Sequence, residues 1–113
     1  MQVLNKTSKT LISKECKKAE SLWDQFFGLL NPKNPCSLLF ETRFGIHTFF
    51  LKQNIDILVL NNNLKVVKIK KSLKPNRLFF WNPSYNLVLE LPFGVIKKSG
   101  TKIGDQLVIY PQK

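Results

Sequence analysis

Histidine occurs once, cysteine twice and arginine twice in 113 residues, and each scarcity closes off a class of function. His47 with the separated Cys16 and Cys36 falls short of the ligands of a closed zinc site, so neither metal nor cofactor is expected. The cysteines form no C-x-x-C pair, and reduced thiols rather than a disulfide are the expectation. No glycine-rich loop is present to cradle a phosphate. No apolar run approaches the roughly 20 residues of a membrane-spanning helix; the densest, Ile55 to Leu60, already contains Asp56. The first residues run into polar Thr7, Ser8 and Lys9 instead of an apolar signal core, which points to a cytoplasmic protein.

Acidic residues are also few: 7 against 18 basic ones, for a net charge of +11 and a pI near 9.9. Such a balance invites a nucleic-acid or anionic partner. Only Arg43 and Arg77 are arginine, however, and lysine is a point charge without the fork that grips phosphate or reads guanine. Joint enrichment in lysine, asparagine and isoleucine is also what an AT-biased genome imposes on a solvated surface. The charge by itself therefore favours solvation over a dedicated polyanion site.

What is present suffices to fold. An apolar fraction of 43% with 12% aromatic suits a globular chain, and the length fits one domain over residues 1–113. Near the amino terminus Thr10-Leu11-Ile12 is strand-like. From Ala19 to Phe27 the apolar residues Ala19, Leu22, Trp23, Phe26 and Phe27 share one helical face, with Ser21 to cap it and Gly28 to end it. Asn31-Pro32-Lys33-Asn34-Pro35 breaks the chain, and strands are expected afterwards: Ser37 to Phe40, Ile46 to Leu51, Ile55 to Leu60, Leu64 to Lys70, Asn86 to Leu91 and Gln106 to Tyr110. The third and fourth form a hairpin around Asn61-Asn62-Asn63, where asparagine tolerates the left-handed conformation. Val66 beside Val67 breaks the alternation and predicts a bulge. Short strands with regular turn signals predict a mainly β fold, an antiparallel or mixed barrel or sandwich, with one short amino-terminal helix packed on it.

In order and spacing, several segments resemble the family called domain of unknown function 192, in its compact archaeal-like branch. They are Gly28-Leu29-Leu30, Leu38-Leu39-Phe40, Ile46 to Phe50, Ile55 to Leu60, Val66 to Ile69, Leu73-Lys74-Pro75, Leu87 to Pro92 followed by Gly94, and Gly104-Asp105. The resemblance implies a β-rich barrel or jelly-roll-like sandwich with one packed helix. It implies no activity. Departures are Asp24-Gln25-Phe26-Phe27 where a basic residue is frequent, and Leu30 and Thr48 where methionine is common.

Four residues are candidates for ligand binding: His47, the only imidazole; Asp56 and Glu90, acids embedded in apolar strands; and Trp81 within the aromatic stretch Phe79 to Tyr85. A carboxylate in such a strand costs free energy unless it is paired, so structural pairing competes with a functional role for both acids. Gly94, Gly104 and Asp105 have the chemistry of turn-ordering structural residues. A nucleophile pair of Cys36 with His47 lacks an orienting third group, and enzymatic activity is unsupported. Three readings follow. The first is a non-enzymatic module binding a small molecule or a protein, as monomer or homodimer. The second is weak, sequence-independent nucleic-acid binding by lysines, with Trp81 or Phe80 stacking on bases. The third is a hydrolase-like enzyme using His47 with a carboxylate.

Overall fold

A run such as Ile55 to Leu60 cannot alternate between a core and water; both of its faces need cover, so it belongs inside a sheet that is packed on two sides. The computed structural model of the chain describes residues 1–18, 37–43, 45–49 and 51–111. In chain order the elements are β1 (Gln2–Asn5), β2 (Thr10–Ser13), β3 (Cys16–Lys18), β4 (Ser37–Glu41), β5 (Gly45–His47), β6 (Ile55–Leu60), β7 (Val66–Leu73), β8 (Leu78–Phe80), β9 (Leu87–Pro92), α1 (Val95–Ser99) and β10 (Leu107–Tyr110). The central sheet has five strands in the order β3-β4-β9-β6-β7, antiparallel except for the β3–β4 pair.

One face of this sheet carries Leu39, Leu58, Leu60, Leu89 and Leu91. It is covered by a three-stranded sheet, β10-β1-β2, through Val3, Ile12 and Leu107, and by Ile96 of α1. The opposite face carries Leu38, Phe40, Ile57, Val59 and Val88 and lies beneath Ile46, Phe79 and Trp81, which belong to or follow the two-stranded sheet β5-β8. The chain is thus mainly β, with stacked layers.

Among the described residues the sheets do not close into a barrel, so of the expected barrel or sandwich the mainly β character is found and the barrel is not. A barrel wall alternates inward and outward residues, whereas all six residues of β6 are buried and demand a layer on each side. Short main-chain links join the layers at their margins. Met1 and Cys16 exchange hydrogen bonds of 2.7 and 2.9 Å, and Val66 N–H donates to Asp105 O at 3.0 Å while Gly104 N–H donates to Val66 O at 2.8 Å. The amino-terminal helix expected over Ala19 to Phe27, the break at Asn31 to Pro35, and Cys36 all lie outside the described residues. Among the described residues the helix is α1 near the carboxyl end, closed by Gly100 (φ 68°) with Thr101 N–H bonded back to Ile96 O.

The β6–β7 hairpin forms as its sequence requires, with register shifts at Ile55/Ile57 and at Val59/Leu60, the second skipping Val67. The left-handed residue of its turn is Leu64 (φ 62°) and not an asparagine. Asn61 supports the turn differently, its Oδ1 accepting the N–H groups of Asn63 and Lys65, both at 2.9 Å. Packing of Leu64 against the first core face offsets the strain of its backbone.

Candidate functional site

Asp56 and Glu90 sit on neighbouring central strands, yet they part company at once. Asp56 is level with Leu91 and Glu90 with Ile57, and adjacent positions on a strand face opposite ways. Asp56 therefore joins the face covered by α1, where its carboxylate is almost wholly buried and accepts three main-chain N–H groups. Oδ1 takes Ser72 at 2.9 Å; Oδ2 takes Gly94 at 3.1 Å and Ile96 at 3.0 Å. Each donor needs this acceptor for a local reason. Ser72 has φ 57° in the β7 bulge, and Gly94 (φ 91°) and Ile96 begin a helix whose first N–H groups lack intrahelical partners. Asp56 thus clamps the β7 bulge to the start of α1. Glu90 is completely buried on the other face, between Leu38 and Ile57 of the flanking strands.

Asp105 lies in a second polar cluster. Its Oδ2 accepts Lys102 N–H at 2.9 Å and Asn5 Nδ2 at 2.8 Å, and the same Asn5 amide reaches Thr101 Oγ1 at 3.2 Å. Ser99 and Thr101 share a hydroxyl contact of 2.7 Å, and Thr10 Oγ1 donates to Ser99 O at 2.7 Å. The cluster ties the β1–β2 turn to the 99–105 segment, and Gly104 (φ 94°) supplies the turn's positive φ.

Trp81 is buried, and its indole N–H donates to Tyr85 O at 2.8 Å. Its ring tilts against Phe79 at 5.8 Å between centroids within the second core face. No ring face of Trp81 is therefore offered for stacking on a base. His47 is exposed, and its imidazole meets Phe49. The rings stack at 4.9 Å, and Nδ1 accepts Phe49 N–H over a long 3.4 Å. The four ligand-binding candidates accordingly do not converge: Asp56 belongs to one core face, Glu90 and Trp81 to the other, and His47 to the outside.

What the structure does assemble is an outward face on β5–β8. In the register Gly45↔Phe80, Ile46↔Phe79 and His47↔Leu78, the middle pair points into the core and the outer pairs point away. Leu78 and Phe80 remain 56% and 60% exposed, and Phe49 extends the face beside His47. Gly45 is required beneath Phe80, because a Cβ there would stand 2.6 Å from the ring and 2.5 Å from Phe79 O. Lys68, from the same side of the central sheet, donates its Nζ to Phe80 O at 2.9 Å and lies 5.0 Å over the Phe79 ring. Thr48 anchors the turn beyond: its hydroxyl donates to Lys74 O at 2.6 Å and accepts Arg77 N–H at 2.9 Å. The exposure of Phe49 and Leu78 was not legible in the sequence because nothing local says which of two alternating faces looks outward. The isolated Gly45 in a strand was the available signal.

The profile of the family described as Uncharacterized ACR, domain of unknown function 192, matches residues 3–109. The UPF0127 protein of Thermococcus sibiricus is 32% identical over 112 residues, covering 93% of this chain and 72% of that protein. The UPF0127 protein of Pyrococcus furiosus is 32% identical over 111 residues, covering 93% and 95%. Both organisms are archaea. Among solved structures, a Novosphingobium aromaticivorans protein of unknown function superposes with a TM-score of 0.74 at 18% identity, covering 96% of this chain and 84% of that one. At that identity the likeness carries the fold alone.

Proposed function

The chain belongs to the Uncharacterized ACR family, domain of unknown function 192, and from that premise we propose that it is a non-enzymatic binding module whose contact surface is the outer face of β5–β8. The observation that carries the reading is the exposure, on one small sheet, of Leu78, Phe80, His47 and Phe49 together. Water-facing rings and a leucine in adjacent register form a patch that gains free energy when covered. The hydrolase reading lacks comparable support, since His47 meets neither Asp56 nor Glu90. The partner is anionic and bears flat apolar groups. A charge of +11 on each copy opposes self-association, and Lys68, Arg43 and Arg77 border the patch with positive charge.

The test uses a small aromatic anion, 8-anilinonaphthalene-1-sulfonate, whose fluorescence rises on transfer to an apolar surface. Wild type is expected to give a saturable rise that the double substitution Leu78→Ser, Phe80→Ser removes. Leu11→Ser, on the outer face of the three-stranded sheet, is expected to leave it intact. A response unchanged by the double substitution refutes the assignment of the surface.

A further inference from the structure

Resting on the reading of β5–β8 as the contact surface, we propose that its partner is single-stranded nucleic acid, stacked on Phe80, Phe49 and His47 and held by Arg43, Arg77 and Lys68. The chain has only two arginines, and the fold sets them at opposite ends of this one sheet. Arg77 immediately precedes Leu78, level with His47. Arg43 lies two residues before Gly45, level with Phe80, and both arginines are exposed. Thr48 fixes the Arg77 main chain from both sides, donating its own N–H to Arg77 O and accepting Arg77 N–H at its hydroxyl, each at 2.9 Å.

Between the arginines, three paired residues span on the order of 10 Å at about 3.3 Å each. That length admits two or three stacked bases at about 3.4 Å apart. Exposed rings are satisfied by the open faces of unstacked bases, which a single strand presents and a duplex does not. A guanidinium suits the phosphates on either side, pairing with them through two hydrogen bonds at once. A protein partner fits less well. The Lys68 ammonium, at the carbonyl of Phe80 and over the inward-facing ring of Phe79, adds a third positive charge at the border of the patch, and cations around exposed rings match a polyanion of stacking bases more closely than a protein surface.

The test is fluorescence anisotropy of the full chain with labelled single strands of about 12 nucleotides, oligo-dT and oligo-U, from about 20 to 200 mM salt. Three neutralised phosphates give a slope of log affinity against log salt near −2, by the factor of about 0.7 per contact on single strands. Phe80→Ala is expected to weaken binding about tenfold, the loss of one base stack. The pair Arg43→Gln, Arg77→Gln is expected to reduce the slope to about −0.7. The pair Lys97→Gln, Lys98→Gln, on exposed positions of α1, is expected to leave affinity at this face unchanged. A duplex of equal length is expected to bind more weakly.

Absence of single-strand binding at the lowest salt overturns the inference. So does binding indifferent to both Phe80→Ala and the arginine pair, because a diffuse lysine surface would then be responsible. Binding of an acidic, phenylalanine-containing peptide with none of the oligonucleotides would transfer the face to a protein partner and equally overturn it. If the dye response still depends on Leu78 and Phe80 while oligonucleotides fail, the nucleic-acid inference falls alone; if the dye response also fails, the contact surface falls with it.

Discussion

Replacing Asp56 by alanine removes the single acceptor shared by Ser72, Gly94 and Ile96, and the loss can be worked from the geometry. A hydrogen bond to a charged group contributes about 1.5 to 3 kcal/mol net, and a buried donor left without a partner carries its full desolvation penalty. The Ile96 N–H is in the buried interior, whereas those of Ser72 and Gly94 are near enough to the surface for water to replace part of the loss. Asp56→Ala is therefore expected to cost about 3 to 5 kcal/mol, a large fraction of the roughly 5 to 15 kcal/mol that keeps a domain folded. At about 4 °C per kcal/mol for a chain of this size, Tm falls by about 12 to 20 °C. Asp56→Asn separates the acceptor from its shape. The carboxamide oxygen can keep Gly94 and Ile96, while its NH2 meets the Ser72 donor, for a cost of about 1 to 2 kcal/mol. Urea unfolding at constant m-value measures both variants. An alanine variant within about 1 kcal/mol of wild type, or an asparagine variant as unstable as the alanine one, refutes the clamp.

Two further substitutions test turns of the framework, the first beside the candidate surface and the second in the polar cluster of the 99–105 segment. Thr48→Val keeps the shape but leaves Lys74 O and Arg77 N–H without the hydroxyl, with an expected loss of about 1 to 3 kcal/mol in urea unfolding; a loss near zero would mean that the hydroxyl is dispensable to this turn. Gly104→Ala meets no atom within 4 Å, so its whole effect is the backbone cost of φ 94°, expected at about 1 to 2 kcal/mol by thermal unfolding. A neutral or stabilising result there would show that the turn relaxes to negative φ.

Much of the fold was legible because it depends on neighbours along the chain. The apolar Ile55 to Leu60, the three asparagines and the doubled Val66-Val67 are local statements about strand, turn and bulge, and the β6–β7 hairpin carries all three. β1 and β3 were not legible, since Gln2–Asn5 and Cys16–Lys18 are short and polar enough to be strands only where β10, β2 and β4 already wait beside them. The five-residue α1 was equally hidden. A helix so short has no periodicity to read and stands on its glycine ends and on Asp56, 38 residues from Gly94 in sequence.

The candidate site divides along the same line. Composition made a zinc centre unexpected, and the apolar runs around Asp56 and Glu90 identified them as acids that require an explanation, because burial of charge has a cost wherever it occurs. Only the tertiary structure decided that those acids face apart, that Trp81 turns its indole inward while Phe80 and Leu78 turn outward, and that Arg43 and Arg77 flank one sheet. Alternation along a strand says that two faces differ; which of them meets water depends on what packs across the layer, and that information comes from residues far away in the chain.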